Sequence, residues 1–232
     1  MVKRCEGQRL RDGSGAAEYS ASAPAESRRK CVRPLPGEVL FTLTAENHLN
    51  CEKTANWAHP AATQKMRPAA AVPLFDQGRL RPEVLDVLDV VAASGMALAS
   101  GHLHASETRA VFAEARRRGI ERLIFTHPED IVGATPDDVK AIADLGAYVE
   151  HSLAFFVEGS RFQNRTANDL KGFIDLVGPE RTILCSDLGQ PGSLNPLEGF
   201  RQGVATCIAL GYADGQIRDM VARNAASVVG LL

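Results

Sequence analysis

From Pro82 onward the chain alternates between two hydrophobic patterns. Helical spacing is seen at Val84, Leu85, Val87, Leu88, Val90 and Val91, and again at Val111, Phe112 and Ala115. Between such stretches stand short apolar runs over 95–100, 122–126, 147–149 and 182–185. The runs have strand length and the spaced segments have helix length, so the pattern predicts strands and helices in turn. Helices are expected over 82–94, with Pro82 in the first turn, and over 106–118. The latter has Ser106 as N-cap, and Arg116 to Arg118 favour its C-terminal dipole before Gly119. Thr135-Pro136-Asp137-Asp138 marks a third helix start, and that helix ends at Gly146. Thr166 caps a fourth over 167–177, ending at Gly178, and two more are expected over 196–210 and 214–230.

Upstream of Pro82 the pattern is weaker. Val39-Leu40-Phe41-Thr42-Leu43-Thr44 has strand composition and runs into Ala45-Glu46-Asn47-His48. Residues 50–70 are polar and irregular, a length of loop that is often functional where it occurs. Ala71 to Phe75 lead into a turn at Asp76-Gln77-Gly78. Residues 1–36 are rich in Ser, Gly, Ala, Arg and Glu and carry few large aliphatic side chains. Such a leader cannot bury enough apolar surface to offset its ordering entropy, so it is expected to be poorly ordered.

Strand and helix thus recur at intervals of roughly 25 residues, the rhythm of βαβ units on a parallel sheet. The expected fold class is α/β, a (β/α)8 TIM-barrel-like domain over 37–232. A complete barrel typically takes ~250 residues, and about 195 remain here beyond the leader. The barrel is therefore expected to be incomplete, with about strands four to eight and their helices.

Composition narrows the function classes. A net charge of -2 and a pI near 6.3 disfavour a nucleic-acid surface. No apolar run is long enough to span a bilayer, and the N-terminus has no signal-peptide core. Five scattered cysteines without CxxC spacing read as reduced thiols, so a cytoplasmic protein is expected.

The candidate chemistry sits at the strand ends. His48, His102 with His104, His127, Glu150 with His151, and Asp187 each follow or close an apolar run. In a parallel α/β sheet such residues gather at the C-terminal edge. Imidazole nitrogens and carboxylate oxygens together suit zinc or a similar divalent ion, and a site with open positions activates water. An aspartate beside it can accept the water proton. Blander roles stand beside these: a lone histidine at a strand end often only caps or hydrogen-bonds. Neighbouring strand residues point to opposite faces, so at least one residue of each close pair, His102 with His104 and Glu150 with His151, is expected to be a supporting or simply packed side chain. Asp187 also suits a cap on the turn at Gly189. No GxGxxG, GxxxxGK[ST] or GxSxG string is present, which disfavours nucleotide binding and a serine hydrolase.

Three strings, Ser100-Gly101-His102, Thr126-His127-Pro128 and Ser186-Asp187-Leu188-Gly189-Gln190, carry a resemblance to the metal-dependent amidohydrolase superfamily, as does Asn224-Ala225-Ala226 near the end. The resemblance covers about residues 38–232. It implies a (β/α)8 barrel with His102, His127 and Asp187 as metal ligands from its fifth, sixth and eighth strands. Asp187 would also be the proton acceptor, and Glu150 would stand at the rim of the seventh. His48, His104, His151 and Gln190 are the expected substrate or supporting contacts. The metal expected is zinc, with manganese or iron as alternatives.

The superfamily's first strand ordinarily supplies an HxH pair, and none precedes residue 40 here. Strands one to three are thus expected to be missing from a truncated product. The open edges of such a barrel would invite pairing with another copy, so a homo-oligomer is an expectation. The expected activity is metal-dependent hydrolysis of a small-molecule amide, lactone, cyclic imide or phosphoester, without nucleic-acid or membrane partners. The competing expectation is a non-catalytic half-barrel that binds a partner or metal weakly.

Overall fold

The computed structural model describes residues 72–232, apart from Ile131 and Pro191. The expected leader 1–36, the strand over 39–44, His48 and the loop over 50–70 lie outside the described residues.

A two-residue hairpin opens the fold, β1 (Phe75–Asp76) against β2 (Arg79–Leu80). Its turn places Gln77 and Gly78 at φ 46° and 77°, the left-handed pair that a tight hairpin connection requires. Helix α1 (Pro82–Ser94) follows, then β3 (Leu98–Ala99), α2 (Ala105–Arg117) and β4 (Leu123–Thr126). Next come α3 (Pro136–Asp144), β5 (Tyr148–Ser152), a 3-10 turn over Leu153–Phe155 and α4 (Ala167–Val177). A second 3-10 turn leads into β6 (Thr182–Cys185) and α5 (Pro196–Ala209). The last segment is α6 (Asp214–Arg218), a π-turn over Asp219–Arg223 and α7 (Asn224–Val228).

Strands β3 to β6 form one parallel sheet in the order of the sequence. A doubly wound sheet reverses its order at a switch point, whereas a barrel wall keeps sequence order from stave to stave. The described residues therefore form four consecutive staves of a barrel-like wall, the α/β class expected.

Two details of the sequence reading need correction. Tyr148–Ser152 is one strand, so Glu150 and His151 lie within β5 and not beyond its end. The single helix expected over 214–230 is interrupted by the π-turn.

Alternation sorts the strand side chains onto two faces. Leu98, Leu123, Phe125 and Val149 face α1 to α3 and pack with Val91, Val111, Phe112, Val139 and Ile142. Leu184 packs with Leu170, Ile174, Cys207 and Met220 beneath α4, α5, α6 and the π-turn. The opposite face carries Ala97, Ala99, Ile124 and Ile183, closed by Val228 with Tyr148, Ala225 and Val229 against it. Above this small-residue floor the same face continues through Thr126, Glu150 and Cys185 to the C-terminal rim. Register places Thr126 opposite Glu150, and Ser152 opposite Cys185.

Two features set the rim's outline. Helix α5 presents Gly199 and Gly203, where a Cβ would come within 2.1 Å of Leu188 and 2.4 Å of Leu153. The bare helix surface thus lets the loops after β5 and β6 sit directly against it. At the other end, the buried Asn224 amide donates to Pro179 O at 2.8 Å and Thr182 O at 2.6 Å, fastening α7 to the start of β6. Replacing Asn224 with Ala should cost about 1–3 kcal/mol, because buried carbonyls lose their donor. Urea denaturation will read this as a lower midpoint at unchanged slope, and an unmoved midpoint contradicts the role given to Asn224.

Candidate functional site

The polar rim is built at the C-terminal ends of β3 to β6. Ser100 follows β3 directly, and its buried hydroxyl accepts from Thr126 N at 3.0 Å and so ties the ends of two adjacent strands. Gly101 then turns left-handed, at φ 55°, and delivers His102 to the rim. Strand β4 ends at Thr126, and His127 follows at φ 25° with its amide donating to Glu150 O at 2.7 Å. That bond extends the parallel pairing one residue past β4 while the side chain is turned aside. The outcome is a direct meeting of two imidazoles: His102 Nε2 and His127 Nε2 are 3.0 Å apart, with rings inclined at 56°. His127 is 7% exposed, and its Nδ1 has no hydrogen-bond partner among the described residues.

Left-handed backbone is rare for residues other than glycine and collects at sites where surrounding structure enforces it. Among the described residues it occurs at Gln77, His127 and Asp187. Gln77 is in the hairpin turn, and the other two are both on the rim. Asp187, at φ 48°, is exposed, and its Oδ2 accepts from Ser152 Oγ at 3.0 Å. Its own carbonyl accepts from Gln190 Nε2 at 3.1 Å, which closes the turn after β6. Gln190 Oε1 is buried without a partner among the described residues.

Glu150 and His151 separate as strand alternation requires. Glu150 lies on the open face, half-buried beside Cys185. The Cys185 thiol is pushed well above its ordinary range, first by burial, then by the charge of Glu150 and a hydrogen bond to it, with Asp187 and Glu129 adding to the effect. His151 points the other way. It is fully buried against the Phe173 ring, 5.6 Å away, and its Nδ1 bonds directly to Glu129 Oε1. Both side chains of that pair are fully buried, and His151 Nε2 and Glu129 Oε2 have no partner among the described residues.

His104 is also placed away from the rim site. It is the N-cap of α2: its Nδ1 accepts from Ser106 N at 3.2 Å while Glu107 accepts from His104 N at 2.9 Å. The capping box thus begins at His104, not at Ser106 as the sequence implied. Glu129 was absent from the expected set; the only signal for it was a carboxylate two residues past His127 at a strand end that had to be buried.

Whether these residues fit a divalent ion is a matter of distances. Two nitrogen ligands about 2.0–2.1 Å from one tetrahedral ion lie about 3.3–3.4 Å apart. The 3.0 Å between the two Nε2 atoms is a few tenths of an ångström shorter, so a small movement of either ring brings the pair to two positions of such a shell. A catalytic zinc site takes three protein ligands. Among the described residues no three His, Cys, Asp or Glu side chains converge as a ligand group, so Asp187 does not join the histidines in one. An apolar cleft of about 520 Å³ lies elsewhere, lined by Leu74, Val84, Val87, Leu98, Leu103 and Phe112 among others, without the rim's histidines or carboxylates.

Residues 39–150 match a family of unknown function (DUF6282), a span that takes in His102, His127 and Glu150 and ends before Asp187. No curated protein sequence matches the chain. Solved structures to which the chain is similar include an amidohydrolase from Burkholderia multivorans. Its form with bound HEPES is 16% identical over 68% of this chain and 62% of its own, at a TM-score of 0.47. Its form with bound zinc is 14% identical over 74% of this chain and 68% of its own, also at 0.47. A putative 2-pyrone-4,6-dicarboxylic acid hydrolase from Pseudomonas putida is 15% identical, covering 88% of this chain and 75% of its own at a TM-score of 0.45. The chain thus spans 62% of the length of the first of these proteins. No helix among the described residues is long and apolar enough to cross a membrane.

The thiol of Cys185 provides a test of the rim's charge. A raised pKa keeps it protonated and unreactive at about pH 8, where an ordinary thiol is partly ionised. Glu150→Gln removes a negative neighbour, so the thiol pKa should fall and alkylation should quicken, though burial will hold part of the shift. Mass-spectrometric alkylation rates at the Cys185 peptide across pH will show this; an unchanged profile removes Glu150 from the thiol's surroundings.

Proposed function

We propose that the chain is a divalent-metal-dependent hydrolase whose rim holds the ion through His102 and His127. The observation that supports this above the others is the 3.0 Å approach of the two Nε2 atoms at the ends of adjacent parallel strands. Direct contact between two imidazoles is a poor resting arrangement without a shared proton or ion between them. When bound, a divalent ion supplies polarisation of a carbonyl or phosphoryl oxygen and acidifies water.

The chain's own residues do the rest. Ser152 orients the Asp187 carboxylate through Oδ2, and Asp187 accepts the proton of the attacking water. Glu150, on the open face beside Cys185, meets the substrate and holds its polar end. Gln190 fixes the Asp187 main chain and thereby the direction of the carboxylate. Substrates of amide, lactone, cyclic imide or phosphoester type fit this chemistry, and zinc suits the paired nitrogens, with manganese or iron as alternatives.

One observation favours a second reading. The described residues offer two nitrogen ligands and no third, which suits a non-catalytic domain that binds metal weakly. Elemental mass spectrometry and zinc titration of the full chain separate the two. The hydrolase reading expects about one ion per chain, lost in both His102→Ala and His127→Ala. It further expects Asp187→Asn to keep the ion while abolishing hydrolysis of an ester, lactone and amide panel. Weak binding with no turnover on that panel favours the second reading, and no binding overturns both.

A further inference from the structure

We propose that Glu129 and His151 form a positioning pair that holds the His127 imidazole against His102. The inference rests on the metal-holding role given to those two histidines, and it adds residues that lie behind the rim.

The two side chains are fully buried, bonded through Glu129 Oε1 and His151 Nδ1, and each leaves its other polar atom unpartnered among the described residues. Burying such a pair is a poor way to gain stability, because apolar side chains of the same volume serve a core as well or better. Its position gives it a different use. Glu129 is two residues past His127 and His151 is one past Glu150, and His127 N already donates to Glu150 O. The side-chain bond therefore repeats, one step further out, the main-chain bond between the same two segments. His127 makes the inner of these ties itself, at φ 25°, a conformation uncommon for residues other than glycine, and only Pro128 separates it from the outer one.

Further contacts hold the pair in turn. Arg165 donates to Glu129 O at 2.5 Å and lies over the Phe173 ring, which packs on His151. Asn164 donates to Asp130 at 2.9 Å. The segment 127–130 is thus gripped from β5 and from the loop before α4. The Glu129 and His151 side chains are both fully buried, so they act through His127 and are not catalytic residues.

The test separates positioning from plain support of the fold. Two variants are compared with the unaltered full chain: Glu129→Gln, and the apolar double variant Glu129→Met with His151→Leu. Three quantities are read: thermal stability, the imidazole resonances of His102 and His127 in histidine-labelled protein, and zinc affinity. The resonances are read without metal, so they report on positioning even if the metal reading fails. The proposal expects the double variant to keep its folded stability while the His102 and His127 resonances shift. It also expects zinc affinity to fall by about 10–100-fold, the usual effect of removing a partner behind a ligand. Glu129→Gln, which keeps a hydrogen-bonding side chain, should move the resonances less. Unchanged resonances in a folded double variant overturn the proposal. Failure of both variants to fold overturns it too, because the pair would then belong to the core alone. Shifted resonances in a chain that binds no zinc keep the positioning role and sink the metal reading only.

Discussion

The rim depends on the pairing of β4 with β5 being carried beyond the last regular residue of β4. Parallel strands exchange evenly spaced main-chain bonds, so a residue that keeps its bond while turning left-handed changes only the direction of its side chain. His127 does this: its amide stays on Glu150 O at 2.7 Å, and its ring leaves the alternation. Without that departure the imidazole would follow the strand's pleat. With it, the ring reaches the neighbouring strand's His102.

The sheet's two faces divide the work. Bulky side chains fill the helix-covered face, from Leu88 and Phe112 through Leu123, Phe125 and Ile142, all at or near zero exposure. The open face is floored by Ala97, Ala99, Ile124 and Ile183. Polar groups then occupy the positions above that floor. This explains why Glu150 and His151, adjacent in sequence, have such different surroundings: one strand residue in two belongs to the rim, and the next belongs to the core.

Much of this was legible from residues alone. Thr135 and Thr166 cap their helices through the carboxylate three positions on, as their sequences announce. The strand over 182–185 and the helix over 167–177 fall where the pattern placed them. The cap at His104 was missed because histidine is not a usual N-cap, although Glu107 three residues later was the sign of a box. The end of β5 was misread because Glu150 and His151 look like a polar exit from a strand. A pairing across the sheet keeps both within the strand, and pairing partners are not written in local composition. Glu129 was missed for the same reason: its partner is 22 residues away. The π-turn at Asp219–Arg223 leaves the apolar spacing of Ile217, Met220 and Val228 looking like one helix.

The charge around the open face bears on what it can hold. Cys185 acts as a local reporter, because a thiol titrates against the potential it experiences as well as against burial. Beyond burial, Glu150, Asp187 and Glu129 all act on it in the same direction, disfavouring the thiolate. A field that raises the cost of one more negative charge lowers the cost of a positive one. The paired imidazoles add two nitrogen donors within that field without adding negative charge of their own.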